Sequence, residues 1–160
     1  MDTTQGPATA MSRDEIITFL DEYRADETTG AALFRGWAAS SKSKALRGAL
    51  RVMELREHSH AQLLEQRVRE LGGTPKQHRD VSEFFAFLTS PTISDAAKAQ
   101  DFVKKAPPEQ VVSHFSGYAD RMGADPESQS LLRAIIEDER ATLCTLDTFA
   151  KTLPSNASAN

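Results

Sequence analysis

The chain reads as all-α, with four long helices paired into two antiparallel hairpins and joined by a long crossover. Apolar residues recur in steps of four and three over long stretches, the period of one helix face. No sustained alternating pattern argues for strands. An aromatic content of 7% and eight glycines in 160 residues suit a helical bundle better than a sheet protein. A chain of this length forms one domain with a substantial core. That domain is expected over 12–153, after a flexible N-terminal arm (1–11) and before a disordered polar tail (154–160).

The first helix opens at Ser12-Arg13-Asp14-Glu15, a capping box in which serine and glutamate satisfy each other's free backbone donors. Its stripe is Ile16, Leu20, Tyr23, Glu27, Gly30, Phe34 and Trp37, and the serine-rich stretch Ala38 to Ser43 is the expected turn. The second helix carries Leu46, Leu50, Met53, Glu57, His60, Leu64, Val68 and Leu71. It stops at Gly72-Gly73, where glycine accepts the left-handed geometry of a helix end. A connection from Thr74 to Pro108 follows, with an apolar patch (Phe84, Phe85, Phe87, Leu88) and a short helix from Ser94 to Ala106. The third long helix starts near Pro107-Pro108, ends at Gly123 and carries the stripe Val111, Phe115, Tyr118, Met122. Asp125-Pro126 supplies the cap and first residue of the fourth, which runs to about Leu153.

Charge and composition narrow the function. A net charge of −4 gives no general pull toward nucleic acid or anionic membrane. Basic residues gather from Lys42 to Arg69, but Glu54, Glu57, Glu65 and Glu70 are interleaved, as on a solvated mixed-charge face. A single cysteine, Cys144, excludes an intramolecular disulfide framework and is expected as a small buried hydrophobe in a reducing, cytoplasmic setting. No apolar run approaches the roughly 18 residues of a membrane helix, and the N-terminus lacks a signal-peptide profile.

Within two stripes, charged groups stand where leucines belong. Glu57 and His60 lie three residues apart on one face of the second helix, in the pattern Glu57-His58-Ser59-His60. The fourth helix reads Leu132, Ile135, Glu139, Thr142, Leu146, Phe149, Leu153, so Glu139 repeats the interruption and Thr142 sits where a second histidine would fall. Buried carboxylates need a cation, a metal or several donors. In an antiparallel hairpin, residues equidistant from the turn share one depth. Glu27 and Glu57 are each 15 residues from Lys42, and Glu109 and Glu139 are each 15 from Ala124. Metal-free readings stand beside these. Glu57 and His60 can form a buried polar pair, Glu27 can be a surface-edge residue, Glu139 can belong to the solvated run Glu137-Asp138-Glu139-Arg140, and Glu109 can cap its helix. Tyr118 and Trp37 read as core aromatics, each a candidate redox neighbour of a metal, while His58 and His78 read as exposed.

These residues resemble the ferritin-like superfamily, in particular its rubrerythrin-like and bacterioferritin-like branches. The resemblance covers about Ser12 to Leu153 and is strongest over Glu57-His58-Ser59-His60-Ala61-Gln62-Leu63-Leu64. It implies a ferritin-like four-helix bundle in which a glutamate on one helix and Glu-x-x-His on the next occur twice across a long crossover. Glu27, Glu57 and His60 match the first pair of elements. Glu109 is the candidate for the third-helix glutamate, with His114 as its substitute. Glu139 matches half of the second motif, Thr142 replacing the histidine. The implied cofactor is iron, with manganese as the alternative, as one or two ions. The implied partners are metal ions and dioxygen or peroxide, with a homodimer left open. The implied activity is a di-iron or mono-metal oxidoreductase, or iron handling. The alternative of a different class is a structural or interaction bundle whose site has lost its metal.

Overall fold

The computed structural model describes residues 9–154. The remainder of the expected arm and tail, 1–8 and 155–160, lies outside the described residues. Residues 9–11 depart from the expected flexible arm: Met11 is buried, its N–H donates to Arg121 C=O, and Thr9 C=O accepts from Arg121 Nε.

Six helices and no strand make up the described residues: α1 (Arg13–Ser40), α2 (Lys44–Glu70), α3 (Ser82–Thr89), α4 (Asp95–Lys105), α5 (Pro108–Arg121) and α6 (Pro126–Thr152). The Ser12/Glu15 capping box starts α1, Ser43 caps α2, and Asp125 with Pro126 starts α6. At the end of α2, Gly72 takes φ +79° while Gly72 N–H reaches Arg69 C=O and Gly73 N–H reaches Val68 C=O. This is a Schellman stop, and it depends on glycine's freedom at φ > 0.

α1 and α2 pack as an antiparallel pair, pinned by Arg13 to Leu71 C=O at 2.9 Å near one end and by the Arg35–Glu54 ion pair near the other. α1 runs to Ser40, so the turn is shorter than the sequence suggests. Asp95 fastens it, accepting from Trp37 Nε1, Ser41 Oγ, Lys42 N–H and Ser43 N–H. α4 and α5 both pack on α6. Gln100 bonds Ala150 C=O, Gln129 bonds Ala119 C=O, and Arg133 pairs with Asp120. The two short helices therefore follow one antiparallel register along α6, interrupted at Ala106-Pro107 because proline lacks the donor that would continue α4. Phe84 and Phe87 pack as partly buried residues against the apolar cluster that holds Phe34 and Trp37, and Leu88 of α3 is fully buried.

The apolar core is split. One cluster holds Ile16, Leu20 and Tyr23 of α1 with Leu64 and Val68 of α2 and Leu132 and Ile135 of α6. The other holds Leu33, Phe34 and Trp37 with Leu46, Leu50 and Met53 and with Leu146. On all three helices the gap between the clusters is where Glu27, Glu57, His60, Glu139 and Thr142 lie. No helix among the described residues is long and apolar enough to cross a membrane.

Candidate metal centre

Ordinary helical periodicity places four of the five predicted ligands, Glu27, Glu57, His60 and Glu139, in the gap. Glu27, Glu57 and His60 are 1, 6 and 4% exposed, respectively. Glu139 is largely buried too, and one ligand atom each from Glu27, His60 and Glu139 falls within 4.8 Å of the others. His60 Nδ1 lies 3.0 Å from Glu27 Oε2 and 3.7 Å from Glu139 Oε1. Its Nε2 lies 3.1 Å from Asp138 Oδ2. The two ring nitrogens thus do different work: one faces the carboxylate cluster, and the other is held by an outer carboxylate that fixes the ring's orientation.

Glu57 lines the same space from the next helix turn. Its carboxyl lies against Gly30, and a Cβ at that position would overlap Glu57 Oε2. Glycine at 30 is therefore the condition for turning this carboxyl inward beside α1. Thr142 is buried, and Arg56 Nη1 donates to its hydroxyl at 3.4 Å. The position where a second histidine would complete Glu-x-x-His thus holds a neutral oxygen with a guanidinium on it.

Crowding of acids shapes the titration of the site. Burial, then the negative charges of Glu139 and Glu27, pushes the Glu57 carboxyl well above its ordinary range. Burial and the Glu27 charge push Glu139 up to about 8, against the opposing pull of His60. For His60, burial disfavours the cation, but the bonds to Glu27 and Asp138 outweigh it and raise the pKa. Burial, then the charges of Glu27, Glu139 and Glu57, lifts the Tyr23 phenol well above its usual value. Two polar atoms here have no donor or acceptor on them: Tyr23 hydroxyl and Glu139 Oε1.

Two predicted positions stay outside the cluster. Glu109 is exposed in the first turn of α5, so its side chain is not one of the converging ligands. Its distance from the turn gives the expected depth, and Val112 three residues on is buried, but Glu109 itself, in the opening turn after Pro107-Pro108, is exposed. His114 is exposed as well, edge-on to Phe115 and Tyr118, and does not substitute for it. Trp37 is fully buried but is bonded to Asp95 at the turn, and Tyr118 stacks on Phe19; neither is the aromatic neighbour of the carboxylates. Tyr23 is, a residue the sequence shows only as one more stripe position. Asp138 was equally hidden, inside a charge run next to Glu139. Cys144, expected as buried, is exposed.

A cavity of about 390 Å³ opens beside the cluster, bounded by Tyr23, Glu27, Gly30, Glu57, Glu139 and Thr142 on one side and by apolar side chains on the other. No protein-family model matches this chain, and no curated protein matches it.

Proposed function

We propose that this chain is a ferritin-like four-helix bundle, with α4 and α5 together serving as its third helix, and that it binds one redox-active divalent metal ion, iron or manganese. Glu27, His60 and Glu139 would hold the ion, with Glu57 as the adjacent carboxylate. The observation that carries this reading is the convergence of these side chains from three helices in a gap between two apolar clusters. The residues fit such an ion. Glu139 Oε1 is buried without a partner, Gly30 leaves the space that Glu57 uses, and carboxylate with imidazole is the donor set these metals prefer. Without a positive ion, this much carboxylate in a core is expensive.

One ion rather than two is favoured by Arg56 and Thr142. A guanidinium already occupies the neighbourhood where the second histidine would stand, and like charges so close raise the cost of another cation. A bound iron or manganese ion supplies one-electron chemistry toward dioxygen or peroxide, which makes an oxidoreductase or an iron-handling protein the proposed activity. The protein's own part is distinct. Asp138 holds the His60 ring so that Nδ1 faces the cluster. Glu57, whose carboxyl favours its protonated form, is placed to release a proton when a cation arrives. Apolar side chains wall the cavity at the same face.

A metal-free structural bundle is the second reading, favoured by one observation: both His60 nitrogens have carboxylate partners without any ion. Elemental analysis of the protein purified from cells grown with ample iron and manganese separates the two. About one equivalent of either metal, absent from His60→Ala, supports the first. Metal-free wild type with no uptake of added ferrous or manganous ion supports the second.

A further inference from the structure

The cavity beside the carboxylates is built for more than an ion. Its volume of about 390 Å³ lies within the about 300–1,000 Å³ of small-molecule sites. Leu33 and Phe34 of α1, Phe102 of α4, Val111 and Phe115 of α5 and Leu143 of α6 form its walls. Ala106, at the break between α4 and α5, and Val111 in the first turn of α5 border it. Asp26, Arg79, Asp80 and Val81 form the outer rim, and Arg79 pairs with Asp26 of α1 across it. Asp21 fastens the same crossover segment by accepting from Lys76 and Gln77 N–H. Arg79 is paired with Asp26 and Asp80 leaves the rim one negative charge, the walls are apolar, and Tyr23, whose buried hydroxyl has no hydrogen-bond partner, lines the cavity.

We propose that this cavity binds a small, uncharged, mostly apolar molecule bearing one hydroxyl group, an aliphatic or aromatic alcohol, with the hydroxyl at the Tyr23 end and the hydrocarbon against the walls. A carboxylate would have to shed its hydration shell among the apolar walls and enter beside an existing cluster of acids. An ammonium would also have to shed its hydration shell among these walls, a cost a neutral hydroxyl does not carry. A hydroxyl both donates and accepts, so it satisfies Tyr23 without a net charge. The proposal does not depend on the metal reading, since the walls and Tyr23 are present without an ion.

The test uses the full-length protein, with and without ferrous ion, and 1-hexanol as the probe, with hexanoate and hexylamine as charged controls. Calorimetry or ligand-observed NMR should show saturable binding of about one hexanol, at about millimolar affinity or tighter. Nuclear Overhauser effects should connect its methyl end to the Phe102 and Phe115 rings. Val111→Trp and Ala106→Leu, which fill the space from the α5 and α4 sides, should each weaken hexanol at least about tenfold. Their circular dichroism and ferrous binding should be unchanged. Tyr23→Phe should weaken hexanol about two- to tenfold, the range of one lost hydrogen bond. Absence of saturable binding, contacts to other side chains, equal affinity in the folded filled variants, or tighter binding of hexylammonium would each overturn it. If neither filled variant folds, the Overhauser contacts and the Tyr23→Phe comparison in the wild-type background decide.

Discussion

Raising the pH from about 6 to about 8 should destabilise the metal-free protein, and Glu139→Gln should remove most of that loss. In the folded chain Glu139 keeps its proton up to about 8, whereas its ordinary value, which the unfolded chain approaches, is 4.5. Between those values the folded state binds more protons than the unfolded state, so stability falls as pH rises. One pKa unit corresponds to about 1.4 kcal/mol, and this single carboxyl contributes roughly 2 kcal/mol between pH 6 and 8. Glu57, raised in the same direction, adds to the loss. His60 has the same sign. Its raised pKa gives stability that is full below the ordinary value of 6.5 and disappears as pH climbs through the folded one. Lys98 works the other way, its pKa being lowered by burial, so the difference between wild type and Glu139→Gln is the quantity to read. Urea unfolding in the presence of a chelator, at several pH values from about 6 to 9, supplies both curves. Parallel curves, or wild-type stability that rises over this range, would refute the assignment of a buried, protonated acid cluster.

Asp138→Asn should leave the metal-free fold nearly unchanged, because Asp138 is half-exposed. It should weaken metal binding about 10–100-fold by loosening the His60 ring, measured by competition with a chromogenic chelator. Gly30→Ala should displace the Glu57 carboxyl and lower metal affinity, whereas Gly48→Ala, with nothing within 4 Å of the added methyl, should stabilise the protein by about 0.5–1 kcal/mol in thermal unfolding. Asp95→Ala removes the acceptor of four bonds at the α1–α2 turn and should cost about 2–4 kcal/mol in urea unfolding without changing metal affinity.

Helical period and distance from the turns made the depth of the site legible in the sequence. Ile16 through Trp37 and Leu46 through Val68 follow the expected stripes, and the interruptions at Glu27, Glu57, His60 and Glu139 mark the gap in the core. Depth is not direction, however, and Glu109 shows the difference. It is level with Glu139 by count, but in the first turn of α5, just after the proline break, it is exposed. Contacts between side chains of different helices carry no period at all. The reach of Asp138 to His60, the donation from Arg56 to Thr142 and the close approach of Glu57 to Gly30 emerge only when α1, α2 and α6 are packed together. The cavity was hidden for the same reason, since its lining comes from α1, α2, the crossover, α4, α5 and α6 together.

Anaerobic titration of the metal-free protein with ferrous ion, read by calorimetry and by thermal unfolding together, tests the proposed centre most directly. One equivalent should bind, with a rise in melting temperature that grows with ferrous concentration as ligand linkage requires and that is absent in His60→Ala. Two equal tight equivalents would contradict the single-ion account. No binding, together with an equal stability loss in His60→Ala whether or not iron is present, would contradict the metal centre itself.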